Sequence, residues 1–118
     1  MSASSVVVLA CKADVAMSAT QREALCEALH AALVETAGAD RVLPLADGGT
    51  DVNGALNVTL RLTRADSRTI EGHLEWTTAD NRNGTGPPVV LSVDDMPMGP
   101  FLYPSFAAGL LQVSNLPL

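Results

Sequence analysis

Three side chains at alternate positions of one segment could do acid–base chemistry. Glu71, His73 and Glu75 are spaced two residues apart, and alternate residues of a β-strand point to the same face of a sheet. A histidine between two carboxylates could hold a proton near neutral pH, because nearby negative charge favours its charged form. The same alternation is typical of the solvated outer face of a two-layer sheet, which is the favoured interpretation. The alternative is a small enzyme or ligand-binding protein that uses His73 with Glu71 or Glu75.

Other patterns that could support catalysis or metal binding are incomplete. Cys26 and His30 lie one helical turn apart, but no acidic residue or second Cys–His pair completes a ligand set. Met96 and Met98 carry the soft sulfur that Cu(I) prefers, yet methionines in a proline-rich loop are more typical of packing or of a contact surface. The chain has no Gly-x-Ser-x-Gly elbow and no phosphate-binding glycine loop. We therefore expect no catalytic residue, no metal site and no cofactor.

The segment 96–103 is the best candidate for a contact with another protein. It holds five large apolar or aromatic side chains in eight positions. Prolines at 97, 100 and 104 hold it extended, which lowers the ordering entropy that a contact must overcome. Methionine and aromatic side chains are enriched at the centres of interfaces. The alternative is that the segment caps the open end of the sheet and belongs to the core. The predicted partner-binding residues are Met96, Met98, Phe101 and Tyr103.

Composition restricts the class of protein and of partner. A chain of 118 residues, 47% of them hydrophobic, fits one folded domain over residues 1–118. Thirteen acidic residues against seven basic ones give a net charge of −6, which predicts no binding to nucleic acid. The longest apolar run near the start, residues 6–11, is far shorter than the roughly 20 residues of a membrane span. No basic residue precedes that run as in a signal peptide, so the sequence as it stands predicts the cytoplasm. The periplasm is the alternative if a leader is removed before Met1.

The two cysteines, Cys11 and Cys26, are too few for a disulfide framework or a zinc site. Cys26 falls on the apolar stripe of a predicted helix, where a free thiol behaves as a small hydrophobic side chain. A bridge between the two would need an oxidising compartment and Cα atoms within about 7 Å. We expect two free thiols, with the bridge as the alternative.

These residues have to be positioned by seven predicted elements. A β-branched run opens the chain as a buried strand. Capping boxes at Ser18 and Thr20 begin a helix that Gly38 ends, and Pro104 suits the first turn of a second helix. The order β-α-β-β-β-β-α predicts an α+β fold of two layers, a mainly antiparallel sheet of about five strands with two helices on one face. The predicted strands cover residues 5–10, 41–45, 56–62, 70–76 and 89–93, and the predicted helices cover about 19–37 and the residues from about 104.

The third and fourth predicted strands form an antiparallel hairpin with one buried face. Apolar and polar residues alternate in both, so the pairing must keep the two apolar sets on the same side. Pairing Leu62 with Ile70 does so, and it sets Arg61 opposite Glu71 on the solvated side.

Four features of the first half of the chain match a known family. They are a valine-rich first strand at 6–9, a long helix carrying Leu25, Leu29 and Leu33, a short strand at Val42–Leu43, and a later strand at 58–62. In this the chain resembles the amino-terminal domain of the Tol–Pal translocation protein and related bacterial envelope lipoproteins. The resemblance implies a domain that makes protein contacts in the periplasm and has no catalytic residues. Those domains carry a further helix between their second and third strands, for which residues 46–55 are too short and glycine-rich.

The expected function follows from these observations. Six arginines to one lysine and abundant alanine are typical of a GC-rich bacterial genome. We predict a bacterial domain that is not an enzyme and that binds a protein partner or a second copy of itself, such as an envelope accessory module.

Overall fold

The computed structural model describes residues 6–13, 18–43, 55–66, 68–78, 80–94 and 99–116. These residues form a five-stranded sheet with two helices on one face. The predicted α+β fold with a mainly antiparallel sheet is confirmed. In chain order the elements are β1 (Val7–Ala13), α1 (Ala19–Ala37), β2 (Leu56–Ala65), β3 (Thr69–Thr77), β4 (Asn83–Thr85), β5 (Val89–Ser92), a 3-10 turn (Pro100–Leu102) and α2 (Tyr103–Ser114).

The sheet combines one parallel pair with antiparallel pairs. β1 and β2 run parallel, from Val7 opposite Leu56 to Ala13 opposite Leu62, and α1 makes the connection between them. β3 pairs antiparallel with β2 on one side and with both β4 and β5 on the other. β4 and β5 therefore form one edge strand that is interrupted at residues 86–88.

Helix α1 begins and ends where the sequence predicts. Ser18 is the N-cap, and its hydroxyl accepts the N–H of Gln21 at 3.1 Å. Gly38 ends the helix with φ 101°, a conformation that side chains oppose, and its N–H donates to Val34 O at 2.8 Å.

The core lies between the sheet and the two helices. Alternate residues of β1, β2 and β3 face the helices, which contribute the buried stripe of α1 and the buried residues of α2. Because the few aromatic residues leave most of this volume to aliphatic side chains, leucine dominates it. The fully buried members include Leu9, Leu25, Leu29, Leu33, Leu60, Leu62, Leu74, Phe106 and Leu110.

The hairpin register differs from the predicted one by two residues. Leu62 pairs with Gly72 and not with Ile70, and a β-bulge between Leu62 and Arg64 brings Ile70 opposite Ala65. The cause lies in the turn, where Asp66 Oδ1 accepts the N–H groups of residues 68 and 69 at 2.9 and 2.8 Å. The turn is consequently short and the strands extend further. An even shift leaves the predicted buried face unchanged.

Two further strand predictions need correction. Of the predicted strand 41–45, the described residues form one isolated parallel bridge, from Val42 to Val7, and residues 44 and 45 lie outside the described part. β4 lies between the predicted strands 70–76 and 89–93, where no strand was predicted. It pairs with the end of β3 because Gly84 lets the indole of Trp76 lie directly over the strand, where a Cβ atom would be 2.3 Å from the ring.

The two cysteines form a disulfide bond, so the prediction of free thiols is wrong. Cys11 lies on the helix-facing side of β1 and Cys26 lies on α1, with 5.9 Å between their Cα atoms. The parallel crossover places α1 over β1, and this brings together two residues that are 15 apart in the sequence. The bond therefore ties the helical layer to the sheet.

We expect Leu29→Ala to lower the free energy of unfolding by about 2–5 kcal/mol, because Leu29 is fully buried and its truncation leaves a cavity. Glu27→Ala on the exposed side of the same helix is the matched control and should change it by less than about 0.5 kcal/mol. Urea denaturation measures both variants. Equal losses would contradict the packing of α1 described above.

We expect the double variant Cys11→Ala/Cys26→Ala to lose about 3 kcal/mol of unfolding free energy, since the bond restricts the unfolded chain over a separation of 15 residues. The unfolding free energy of the wild-type chain should fall by the same amount when a reductant is added. The reductant should leave the double variant unchanged. A wild-type midpoint that does not move on reduction would contradict the prediction.

Candidate functional site

A polar cluster lies on the face of the sheet opposite the helices. The polar residues of β2 and β3 alternate with the buried ones, and the observed register sets Arg61 opposite His73 and Thr59 opposite Glu75. The prediction that Arg61 faces Glu71 is wrong, because the register is shifted by two residues. Arg61, His73 and Glu75 therefore become neighbours on this face.

The carboxylate of Glu75 lies at the centre of this cluster. His73 Nε2–H donates to Glu75 Oε2 at 3.0 Å, and Arg61 Nε–H donates to Glu75 Oε1 at 3.3 Å. The His73 side chain is 21% exposed and that of Glu75 is 39% exposed. Glu71 takes a different partner, because it accepts a hydrogen bond from Thr63 Oγ1 at 3.0 Å. Of the two acid–base pairs considered as the alternative, the structure brings together His73 and Glu75.

The electrostatics of Glu75 oppose a role in proton transfer. The hydrogen bond from His73 is the largest influence and holds the pKa of Glu75 below the ordinary value of 4.5; Arg61 acts in the same direction, while partial burial opposes them. A general acid or base works best with a pKa near the working pH. Both oxygens of Glu75 are also engaged, one in an ion pair with Arg61 and the other in the hydrogen bond from His73.

Cys26 and His30, the pair whose spacing could suit a metal, each take another partner. Cys26 is bonded to Cys11, and His30 Nε2–H donates to the carbonyl oxygen of Leu43 at 2.8 Å. Among the residues that the structure describes, no group of three or more histidine, cysteine or acidic side chains is placed to hold a metal ion.

The predicted partner-binding residues divide into three cases. Phe101 lies on the 3-10 turn before α2 and is 66% exposed, the highest value among the large hydrophobic residues that the structure describes. Tyr103 is only 2% exposed and belongs to the core, where burial raises the pKa of its hydroxyl. Met96 and Met98 lie outside the described residues.

The helical spacing of α2 explains the burial of Tyr103. Tyr103, Phe106, Ala107 and Leu110 recur at intervals of three and four residues and form one buried stripe. Val113, three residues after Leu110, does not extend the stripe, because it is 45% exposed. The burial of Tyr103 was therefore predictable from the sequence, because Tyr103 lies three residues before Phe106 on the same helical stripe.

Burial in α2 leaves one polar atom without a partner. The hydroxyl of Ser114 is buried and has no hydrogen-bond partner within the described part of the chain. Gly86 approaches so closely that a Cβ atom there would be 2.3 Å from Ser114 Oγ. The end of α2 thus packs directly against the backbone of the interrupted edge strand.

Neither helix in the described ranges combines the length and the apolar character needed to cross a membrane. Comparisons with protein-family models, curated proteins and solved structures find no match to this chain.

We expect Glu75→Gln to remove a part of the stability that depends on pH. Because the pKa of Glu75 is lower in the folded chain than in the unfolded one, its ionised form stabilises the fold above pH 4.5, and this contribution is lost as the pH falls through the folded-state pKa. The unfolding free energies of wild type and variant should differ at neutral pH and converge in acid. Urea denaturation at a series of pH values from neutral to acid measures both free energies.

Glu27→Gln is the matched control, because it removes an exposed carboxylate outside the cluster. Its difference from the wild type should stay small at every pH. A Glu75→Gln curve parallel to the wild-type curve throughout would contradict the assignment.

Proposed function

We propose that this chain is a non-enzymatic bacterial domain that binds a protein partner through the surface around Phe101, as an accessory module of the cell envelope. The observation that carries the proposal is the exposure of Phe101, at 66%. Moving an apolar side chain out of water is favourable, so a partner that covers an exposed phenylalanine gains binding free energy. Single exposed apolar residues are common, so the surroundings of this one matter.

The setting of Phe101 favours a contact. Pro100 and Pro104 flank it, and a 3-10 turn leads without interruption into α2. Its ring lies beside Gly99, where a Cβ atom would be 2.9 Å from the ring. Tyr103 and Phe106 anchor the start of α2 in the core. The turn is thus held by a rigid element, and a partner that buries the ring has little backbone to order.

The size of the effect is moderate. Full burial of a phenylalanine side chain contributes roughly 1.5–3 kcal/mol, so burying the exposed two-thirds of Phe101 contributes about 1–2 kcal/mol. That is about a tenfold change in affinity. Phe101 therefore acts as one anchor of a larger interface.

The envelope assignment is supported by the resemblance of the first half of the chain to the amino-terminal domain of the Tol–Pal translocation protein. The described elements β1, α1 and β2, with the bridge at Val42, follow the order on which that resemblance depends. In that family the domain makes protein contacts.

A second candidate function is a small enzyme or ligand-binding protein that uses His73 with Glu75. The 3.0 Å contact between these side chains favours it. The second bond of Glu75, to Arg61, counts against it because it engages the other carboxylate oxygen. His73→Gln separates the two candidates, since it alters the polar cluster and leaves Phe101 in place.

We expect Phe101→Ser to weaken self-association or binding of a partner by about tenfold, while the melting temperature stays within about 2 °C of the wild type. Partner contact is detected by a photo-crosslinking amino acid placed at position 101 in growing cells, followed by mass spectrometry of the adduct. Self-association of the purified chain is measured by sedimentation velocity.

The matched controls are Ala108→Ser, an exposed apolar position of α2, and the same crosslinker at Gln112. Neither should affect binding or give the adduct. A loss of binding in His73→Gln but not in Phe101→Ser would favour the second candidate. A large fall in the melting temperature of Phe101→Ser, or no adduct specific to position 101, would refute the docking role.

A further inference from the structure

We propose that this chain is a substrate of thiol–disulfide exchange in an oxidising compartment, and that the Cys11–Cys26 bond forms before α1 docks on the sheet. The proposal rests on the position of the bond in the fold and is independent of the docking role of Phe101.

The bond lies at the interface between the two layers. Cys11 shares the helix-facing side of β1 with Val7 and Leu9, and Cys26 lies beside Leu25 on α1. Both cysteines are partly buried and pack against the hydrophobic core. Exchange requires a thiolate to reach a sulfur atom directly, so its rate depends on access. With α1 docked, the core side chains restrict that access, and we infer that oxidation takes place while the helix is still free to move.

The sequence separation makes an early bond feasible. Cys11 and Cys26 are 15 residues apart, and the entropic cost of closing a loop of that length is small compared with longer closures. β2 begins only at Leu56, so the β1–α1 contact can form well before the parallel pairing of β1 with β2. A covalent link at this stage would keep β1 and α1 together until the remaining strands arrive.

The position of the bond also indicates the compartment. Disulfides persist in secreted and periplasmic proteins, whereas cytosolic ones are typically transient and catalytic. A transient bond must be reached by reducing partners, but this one is packed against the core. The inference therefore favours the periplasmic alternative over the cytoplasmic expectation.

The chemistry balances with a disulfide-bearing oxidant, such as a dithiol–disulfide oxidase. The thiolate of one cysteine attacks the oxidant's disulfide, which breaks, and a mixed disulfide forms. The second thiolate then attacks the mixed disulfide and forms the Cys11–Cys26 bond. The two thiols lose two protons and two electrons, and the oxidant leaves as a dithiol that has accepted both electrons.

The first experiment determines the redox state in the cells that make the protein. The full chain is expressed from its own gene, thiols are trapped in acid, and free thiols are then labelled with a maleimide-linked polymer that slows migration on a gel. We expect no label unless the sample is first reduced. The Cys11→Ser/Cys26→Ser variant should stay unlabelled in both cases. A wild-type chain that carries two labels without reduction would overturn the proposal.

The second experiment determines the order of events. The reduced, denatured chain is refolded with a glutathione redox buffer, samples are quenched in acid to count free thiols, and folding is followed by the fluorescence of Trp76, the sole tryptophan. We expect the thiols to disappear before the fluorescence change, because the indole of Trp76 lies over β4 and follows formation of the sheet. Completion of the fluorescence change while both thiols remain free would overturn the proposed order.

Phe101→Ser keeps both cysteines and should form the bond at the wild-type rate. This variant makes failure of the exchange proposal distinguishable from failure of the docking role.

Discussion

The packing of α1 against β1 and the buried side of the sheet is the interaction on which the rest of the structure depends. A parallel pair of strands cannot be joined by a tight turn, so the chain must cross over the sheet, and a helix is the usual way to do so. Leu25, Leu29 and Leu33 fill the space beneath that helix. Their burial fixes which side of the sheet is apolar, and α2 then packs on the same side, against α1.

Once that side is fixed, the polar residues of β2 and β3 take the opposite face. The polar residues of β2 and β3 alternate with the buried leucines, so Arg61, His73 and Glu75 are placed together by strand periodicity. The ion pair between Arg61 and Glu75 and the hydrogen bond from His73 satisfy these partly exposed side chains. The proximity of a histidine and a carboxylate therefore has a structural cause, and the direction of the Glu75 pKa agrees with it.

Local signals predicted much of this fold, and non-local ones were missed. Helix α1 was predictable from Ser18, Gly38 and the leucine spacing, because caps and periodicity act within a few residues. The hairpin faces were predictable from alternation, but alternation is unchanged by a shift of two residues, so it could not choose the register that the Asp66 turn imposes. The disulfide depends on a crossover that brings distant residues together. At the candidate site, Phe101 and Tyr103 are both aromatic, so residue type alone could not predict their different exposure. Tyr103 is buried because it is the first residue of α2 and lies on its buried stripe, whereas Phe101 precedes the helix and is exposed.

The interruption between β4 and β5 has a consequence for the behaviour of the chain at high concentration. An edge strand normally offers a row of backbone N–H and C=O groups to which a foreign strand can add. Here Pro87 and Pro88 break that row, and neither has an N–H to donate. Each flanking piece is only three or four residues long. A growing fibril would find no continuous template on this side of the sheet, so the edge resists polymerisation.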